Sequence, residues 1–123
     1  MKGELRVKRI YQPPSKDDGY RVFVERLWPR GVSRERAALD VWLKEIAPST
    51  ELRKWFNHEP AKWPEFMERY RSELDADPSF IGEILDRLAK GNVTLLYASR
   101  EEEYNAANAL ATVIRKSKFK SPR

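Results

Sequence analysis

Apolar and polar positions change period several times along the chain, and each change marks an element. Residues 5–11, L-R-V-K-R-I-Y, alternate, with Leu5, Val7 and Arg9 on one side and Arg6, Lys8 and Ile10 on the other. That is the period of a strand, and its cations suit a sheet edge. Val22, Phe23 and Val24 are three consecutive bulky residues, as in a strand covered on both faces. The strand is predicted over 20–27. Pro29 lacks a backbone donor and holds Trp28 extended, so pairing should stop there. Residues 39–44 alternate again, which suits a short third strand, with a helix as the competing reading. V-T-L-L-Y-A at 93–98 is apolar on both faces and reads as a central strand.

Helical periods fill the gaps. Ser33 can cap one or two turns. Ser49 or Thr50 can cap a helix through Asn57 with Leu52, Trp55 and Phe56 inward. Pro64 fits a first turn, and Trp63, Phe66, Met67, Tyr70 and Leu74 follow helical spacing to about Asp75. After Asp77-Pro78, the stripe Phe80, Ile81, Ile84, Leu85 and Leu88 ends at Gly91. A last helix is predicted over 101–115, with Tyr104, Ala107, Leu110, Ala111 and Ile114 inward.

Strands separated by helices define an α/β fold, a small mostly parallel sheet of about four strands with helices on both faces. The loop Q-P-P-S-K-D-D-G between the first two strands is short for a parallel crossover, which takes roughly a dozen residues. Either those strands are antiparallel, or a single tight helical turn around Ser15–Asp18 joins them in parallel. Residues 1–114 form one domain, followed by a basic tail at 115–123. Ligands of such sheets sit beyond the carboxyl ends of the strands. Arg26–Gly31, Lys44–Ser49 and Ser99–Asn105 are therefore expected to converge.

Composition narrows the function. The chain has no cysteine, which removes disulfides, thiol nucleophiles and cysteine metal sites, and fits the cytoplasm. No apolar run is long enough to span a membrane, and the first ten residues lack the apolar core of a signal peptide. The net charge of +5 resides entirely in 115–123, which holds Arg115, Lys116, Lys118, Lys120 and Arg123 and no acid. Such a tail is either a weak, non-specific nucleic-acid contact or a solvated end.

The candidate chemistry lies at the strand ends. Arg26 and Arg30 flank Trp28-Pro29 and form a candidate clamp for an anion. The alternative pairs Arg26 with a core carboxylate such as Asp40. Lys44 and Ser49 could extend the pocket, Ser49 otherwise being only a helix cap. Tyr97, Arg100 and Asn105 flank the turn after the central strand, although that turn lacks the glycine of a phosphate-binding loop. Asn105 could equally fasten that turn. Glu101, Glu102 and Glu103 favour a helix start over an anion. His58, the lone histidine, is a candidate acid or base, or else a corner residue bonded to backbone. With one histidine and no cysteine, neither a metal nor a cofactor is expected. The first reading is a pocket for a small anionic or phosphorylated ligand. The second is a nucleic-acid-binding or regulatory module that uses the tail.

Several ordered phrases carry a resemblance. V-E-R-L-W-P-R-G at 24–31, W-L-K-E-I-A-P-S at 42–49, L-R-K-W-F-N-H-E-P at 52–60, W-x-x-F-x-x-R-Y at 63–70 and T-L-L-Y-A followed by Asn105 resemble the YeaO-like branch of the domain-of-unknown-function family 488. The resemblance covers nearly the whole chain. It implies a cytosolic bacterial or archaeal α/β protein without an established activity. Longer relatives end a strand in a D-V-R-like phrase, to which Val24-Glu25-Arg26 is similar. They also carry a cysteine where Tyr97 stands, and Asn105 lies near their C-H-R-like helix start. Their helix between the first two strands favours the parallel option here.

Overall fold

The computed structural model describes residues 3–120, with side-chain surroundings given through Lys116. Four strands form one sheet in the order β1-β4-β2-β3, all neighbours parallel. They are β1 (Leu5–Arg9), β2 (Tyr20–Phe23), β3 (Val41–Trp42) and β4 (Val93–Tyr97). The run that is apolar on both faces, β4, lies between β1 and β2. Leu5 pairs with Val93 on one side and Tyr20 pairs with Val93 on the other. The cation-bearing β1 is an edge, as its alternation implied.

Parallel pairing across a short loop is achieved by one tight turn, Lys16–Asp18. Ser15 caps it, and Asp18 folds back to accept from the Ser15 N–H at 2.9 Å. Asp18 is 2% exposed and holds two cations. Lys8 Nζ lies 3.0 Å from it, and Arg21, itself 4% exposed, lies 2.5 Å from it. Arg21 also donates to the carbonyls of Ala37 and Ala38. Thr94 Oγ donates to the Asp18 carbonyl at 2.7 Å. Burial alone would raise the Asp18 pKa, but Lys8, the Ser15 N–H and Arg21 outweigh it and hold the carboxyl below its usual range.

Helices cover the two faces unequally. α1 (Arg34–Ala37) lies on the face that carries Ile10, Phe23 and Leu96. The other face carries α2 (Thr50–Phe56), α3 (Trp63–Ala76), α4 (Ser79–Lys90) and α5 (Ala106–Lys120). Their apolar stripes close over Leu5, Val22, Val24, Val93, Leu95 and Tyr97 in the main core. The caps are those expected: Ser33 for α1, Ser49 for α2, and Gly91 after α4.

Some boundaries differ from the sequence reading. The strand expected over 20–27 is regular only to Phe23, because β3 is two residues long and offers no further partner on that side. The last helix begins at Ala106, because Glu101 accepts from the Glu103 and Tyr104 N–H groups and makes 101–105 a turn. Asn105, expected one turn inside that helix, instead caps it by accepting from Asn108 N at 2.9 Å. The helix continues through Arg115 to Lys120. Arg115 donates to the Leu5 carbonyl at 2.9 Å. The side chains of 117–120, and all of 121–123, lie outside the described residues, and with them most of the proposed nucleic-acid contact.

Candidate functional site: a cleft at the carboxyl ends of the strands

The loop leaving β2 is fixed at four points. Trp42 Nε1 donates to the Glu25 carbonyl at 2.6 Å, and Trp28 Nε1 donates to the Val32 carbonyl at 2.6 Å. Tyr11 Oη donates to the Arg30 carbonyl at 3.0 Å. Arg26 reaches across to the segment after β3, with Nε 3.1 Å from the Pro48 carbonyl and Nη2 3.2 Å from that of Ala47. Trp28, Trp42 and Phe23 pack together, with ring centroids 5.3–6.0 Å apart, and Arg34 lies 4.1 Å above Trp28. The loop is therefore held in place by bonds within the chain itself.

Between this loop, α2 and the turn after β4 lies a cleft of about 410 Å³. That volume suits a small molecule. Phe56 and Phe66 form an apolar side, stacked 4.4 Å apart. Tyr104 meets Trp63 edge-on at 5.3 Å and also lines the cleft. Four cationic or titratable bases face the space: Arg26, Arg30, Arg53 and His58. None of them forms an ion pair among the described residues. The single carboxylate in the lining is Glu25.

Glu25 is half-buried, and its Oε2 accepts from the Ala98 N–H at 3.2 Å. Burial raises its pKa, and the Ala98 and Ser99 N–H groups and the fields of Arg53 and His58 offset this only in part. A buried carboxyl with a raised pKa binds more protons folded than unfolded, so its effect on stability becomes less favourable as pH rises. Glu25→Gln keeps an acceptor for Ala98 and removes the charge. Its melting temperature is expected to exceed that of the natural protein at pH 7. The difference should shrink towards about pH 4, where both carry a neutral side chain. An equal melting temperature at pH 7 would show that the carboxylate is not penalised.

The sequence-derived residues divide. Arg26, Arg30, His58 and Asn105 line the cleft. Arg26 bonds to backbone carbonyls, while Asp40 accepts from the Arg21 N–H, so the alternative ion pair does not form. Asn105 is 3% exposed and also donates to the Glu101 carbonyl, fastening the turn. Lys44, Ser49, Tyr97 and Arg100 stand outside the cleft. Lys44 lies 4.8 Å above Trp42 and is exposed. Ser49 caps α2 and donates to Glu73 at 2.6 Å. Tyr97 belongs to the core, and Arg100 is exposed. His58 follows Asn57, and both have positive φ, 54° and 47°. Asn57 is the left-handed C-cap that ends α2, and His58 follows it in the same region of backbone conformation.

Glu25 and Arg53 escaped the sequence reading. Glu25 was overshadowed by Arg26 next to it. Arg53 lay off the inward stripe Leu52, Trp55 and Phe56, yet it is one helical turn from Asn57 and His58. That spacing was the available signal.

A four-stranded parallel sheet with helices on both faces defines the class: a small α/β protein of the open-sheet type. The family comparison makes this specific. The model of the inactive DUF488-N3 subclade matches residues 4–121, and the chain belongs to that DUF488 family. It is 42% identical over 111 residues to the uncharacterised protein YeaO of Escherichia coli (strain K12), across 90% of this chain and 96% of YeaO. It is 36% identical over 110 residues to the uncharacterised protein Rv3073c of Mycobacterium tuberculosis (strain ATCC 25618 / H37Rv), across 89% and 92%. Identity to Mb3100c of Mycobacterium bovis is the same, 36% over 110 residues. No solved structure matches the chain. No helix among the described residues is long and apolar enough to cross a membrane.

Proposed function

We propose that the protein binds a small anion or phosphate ester in this cleft and does not turn it over. The observation that carries the reading is the set of bases around one open cleft, with half-buried Arg26 and exposed Arg30, Arg53 and His58 beside a single carboxylate and no ion pair among them. A guanidinium without a carboxylate partner is a donor, often bidentate, to carboxylate or phosphate, and the exposure of Arg30 and Arg53 makes such binding sensitive to salt. Phe56, Phe66 and Tyr104 supply an apolar side for an ester's organic part. The absence of turnover is supported by the description of the matched family as inactive. Placement in the cytoplasm belongs to the same proposal.

Titration calorimetry with inorganic phosphate at low ionic strength tests it. Arg30→Ala combined with Arg53→Ala is expected to weaken binding by about tenfold or more, since hydrogen bonds to charged groups contribute about 1.5–3 kcal/mol each. Lys44→Ala, outside the cleft, should leave it unchanged. Equal affinity for the double variant would remove the cleft from the account. Release of phosphate from a phosphate ester would overturn the absence of turnover. The nucleic-acid reading is supported by the charge of 115–123 alone, and deletion of that segment should abolish salt-sensitive binding if the reading holds.

A further inference from the structure

Glu25 is out of place in a site for a plain anion. It lines the cleft, and it fills the position next to the Ala98 and Ser99 N–H groups where a ligand's oxygen would otherwise be received. A carboxylate can accept about four hydrogen bonds. Here it accepts from the Ala98 N–H at 3.2 Å with the Ser99 N–H alongside, and no side chain among the described residues donates to it. Nor does any lining base come within ion-pairing distance, although Arg53 and His58 are near enough for their fields to act on it. Negative and positive groups thus face the same space with a gap between them. A half-buried carboxylate with backbone donors but no cationic partner is open to a further donor, from water or from a ligand. No side-chain nitrogen or oxygen is sealed away without a partner among the described residues, so the remaining acceptor capacity of Glu25 opens on the cleft rather than into the core.

We infer that the ligand is dipolar: a small molecule with an amine or other N–H donor for Glu25 and an anionic group for Arg30, Arg53 and His58. Glu25 is then a specificity-determining residue that repels a simple anion and admits one that brings its own cation. This rests on the anion-binding reading above and narrows it. The gap between the carboxylate and the bases favours a compact zwitterion over a polyanion. The neighbouring rings of Phe56, Phe66 and Tyr104 would cover the carbon chain between the charges. A bound ammonium would lower the raised Glu25 pKa.

The test compares phosphoethanolamine with ethyl phosphate, which lacks the amine, by titrating backbone N–H resonances of the full chain. The natural protein should bind phosphoethanolamine about tenfold more tightly, the scale of one charge-assisted hydrogen bond. Glu25→Gln keeps an acceptor for Ala98 and should lose that preference, while binding ethyl phosphate more tightly because a repelling charge is gone. Equal binding of the two probes by the natural protein would overturn the dipolar ligand and leave the anion reading standing. A preference that survives in Glu25→Gln would overturn the role of Glu25. Binding of neither probe by the natural protein would overturn both readings together.

Discussion

Asp18→Ala is expected to lower folding stability by about 3–5 kcal/mol, the range for removing one partner of a buried ion pair. The size comes from what remains. Arg21 is 4% exposed, and without Asp18 its guanidinium retains only the carbonyls of Ala37 and Ala38. Lys8 loses the same partner, and the tight turn that joins β1 to β2 loses its fold-back to Ser15. Urea denaturation measures the loss, and a change under about 1 kcal/mol would contradict the network. The sign of the pH dependence follows from the lowered Asp18 pKa. Its stabilisation is fully present above the ordinary carboxylate range and is lost as pH falls through the depressed folded value. The gap between natural protein and variant should therefore narrow in strong acid.

Phe66→Ala should cost about 3–5 kcal/mol, as large aromatic truncations in cores do. Phe66 is 2% exposed. It stacks on Phe56 at 4.4 Å and lies 5.4 Å from Trp63 and 5.9 Å from Tyr70. Its neighbours sit on α2 and on its own helix, so they cannot easily close the void. The same ring lines the cleft, and the truncation should enlarge that space as well. Leu27 provides the contrast. It is 69% exposed at the cleft mouth, and Leu27→Ala should change stability by less than about 0.5 kcal/mol. Thermal denaturation of the two variants side by side checks both values.

The fold was legible where apolar periodicity is strong. The apolar run V-T-L-L-Y reads as a central strand and the stripe from Phe80 to Leu88 as a buried helix face, and the structure has both. Ser15–Asp18 contained the parallel connection, yet spacing alone could not choose it over a hairpin. The choice depends on Asp18 meeting Lys8 and Arg21, a contact between three separate stretches. β3 was overlong in the sequence because alternation marks burial rather than pairing, and only Val41 and Trp42 find partners. The convergence of the strand ends was legible from topology, and with it Arg26, Arg30 and Asn105 as cleft residues, whereas His58, a corner residue in the sequence, joins them only through the fold. Which bases are free was not legible. Arg9 bonds to the Ala98 and Ser99 carbonyls and Arg21 to Asp18, while Arg53 stays unpaired, and only tertiary structure distributes these partners.

The central claim is that the unpaired bases of the cleft receive an anion. A titration of the isotopically labelled natural protein with inorganic phosphate, followed by backbone and His58 ring resonances, tests it most directly. The account predicts saturable shifts that cluster on Arg30, Arg53, His58 and the turn from Ser99 to Asn105, and that weaken as salt is added. Shifts confined to Lys44, Arg100 and the end of α5, or no saturable shift at all, would contradict it.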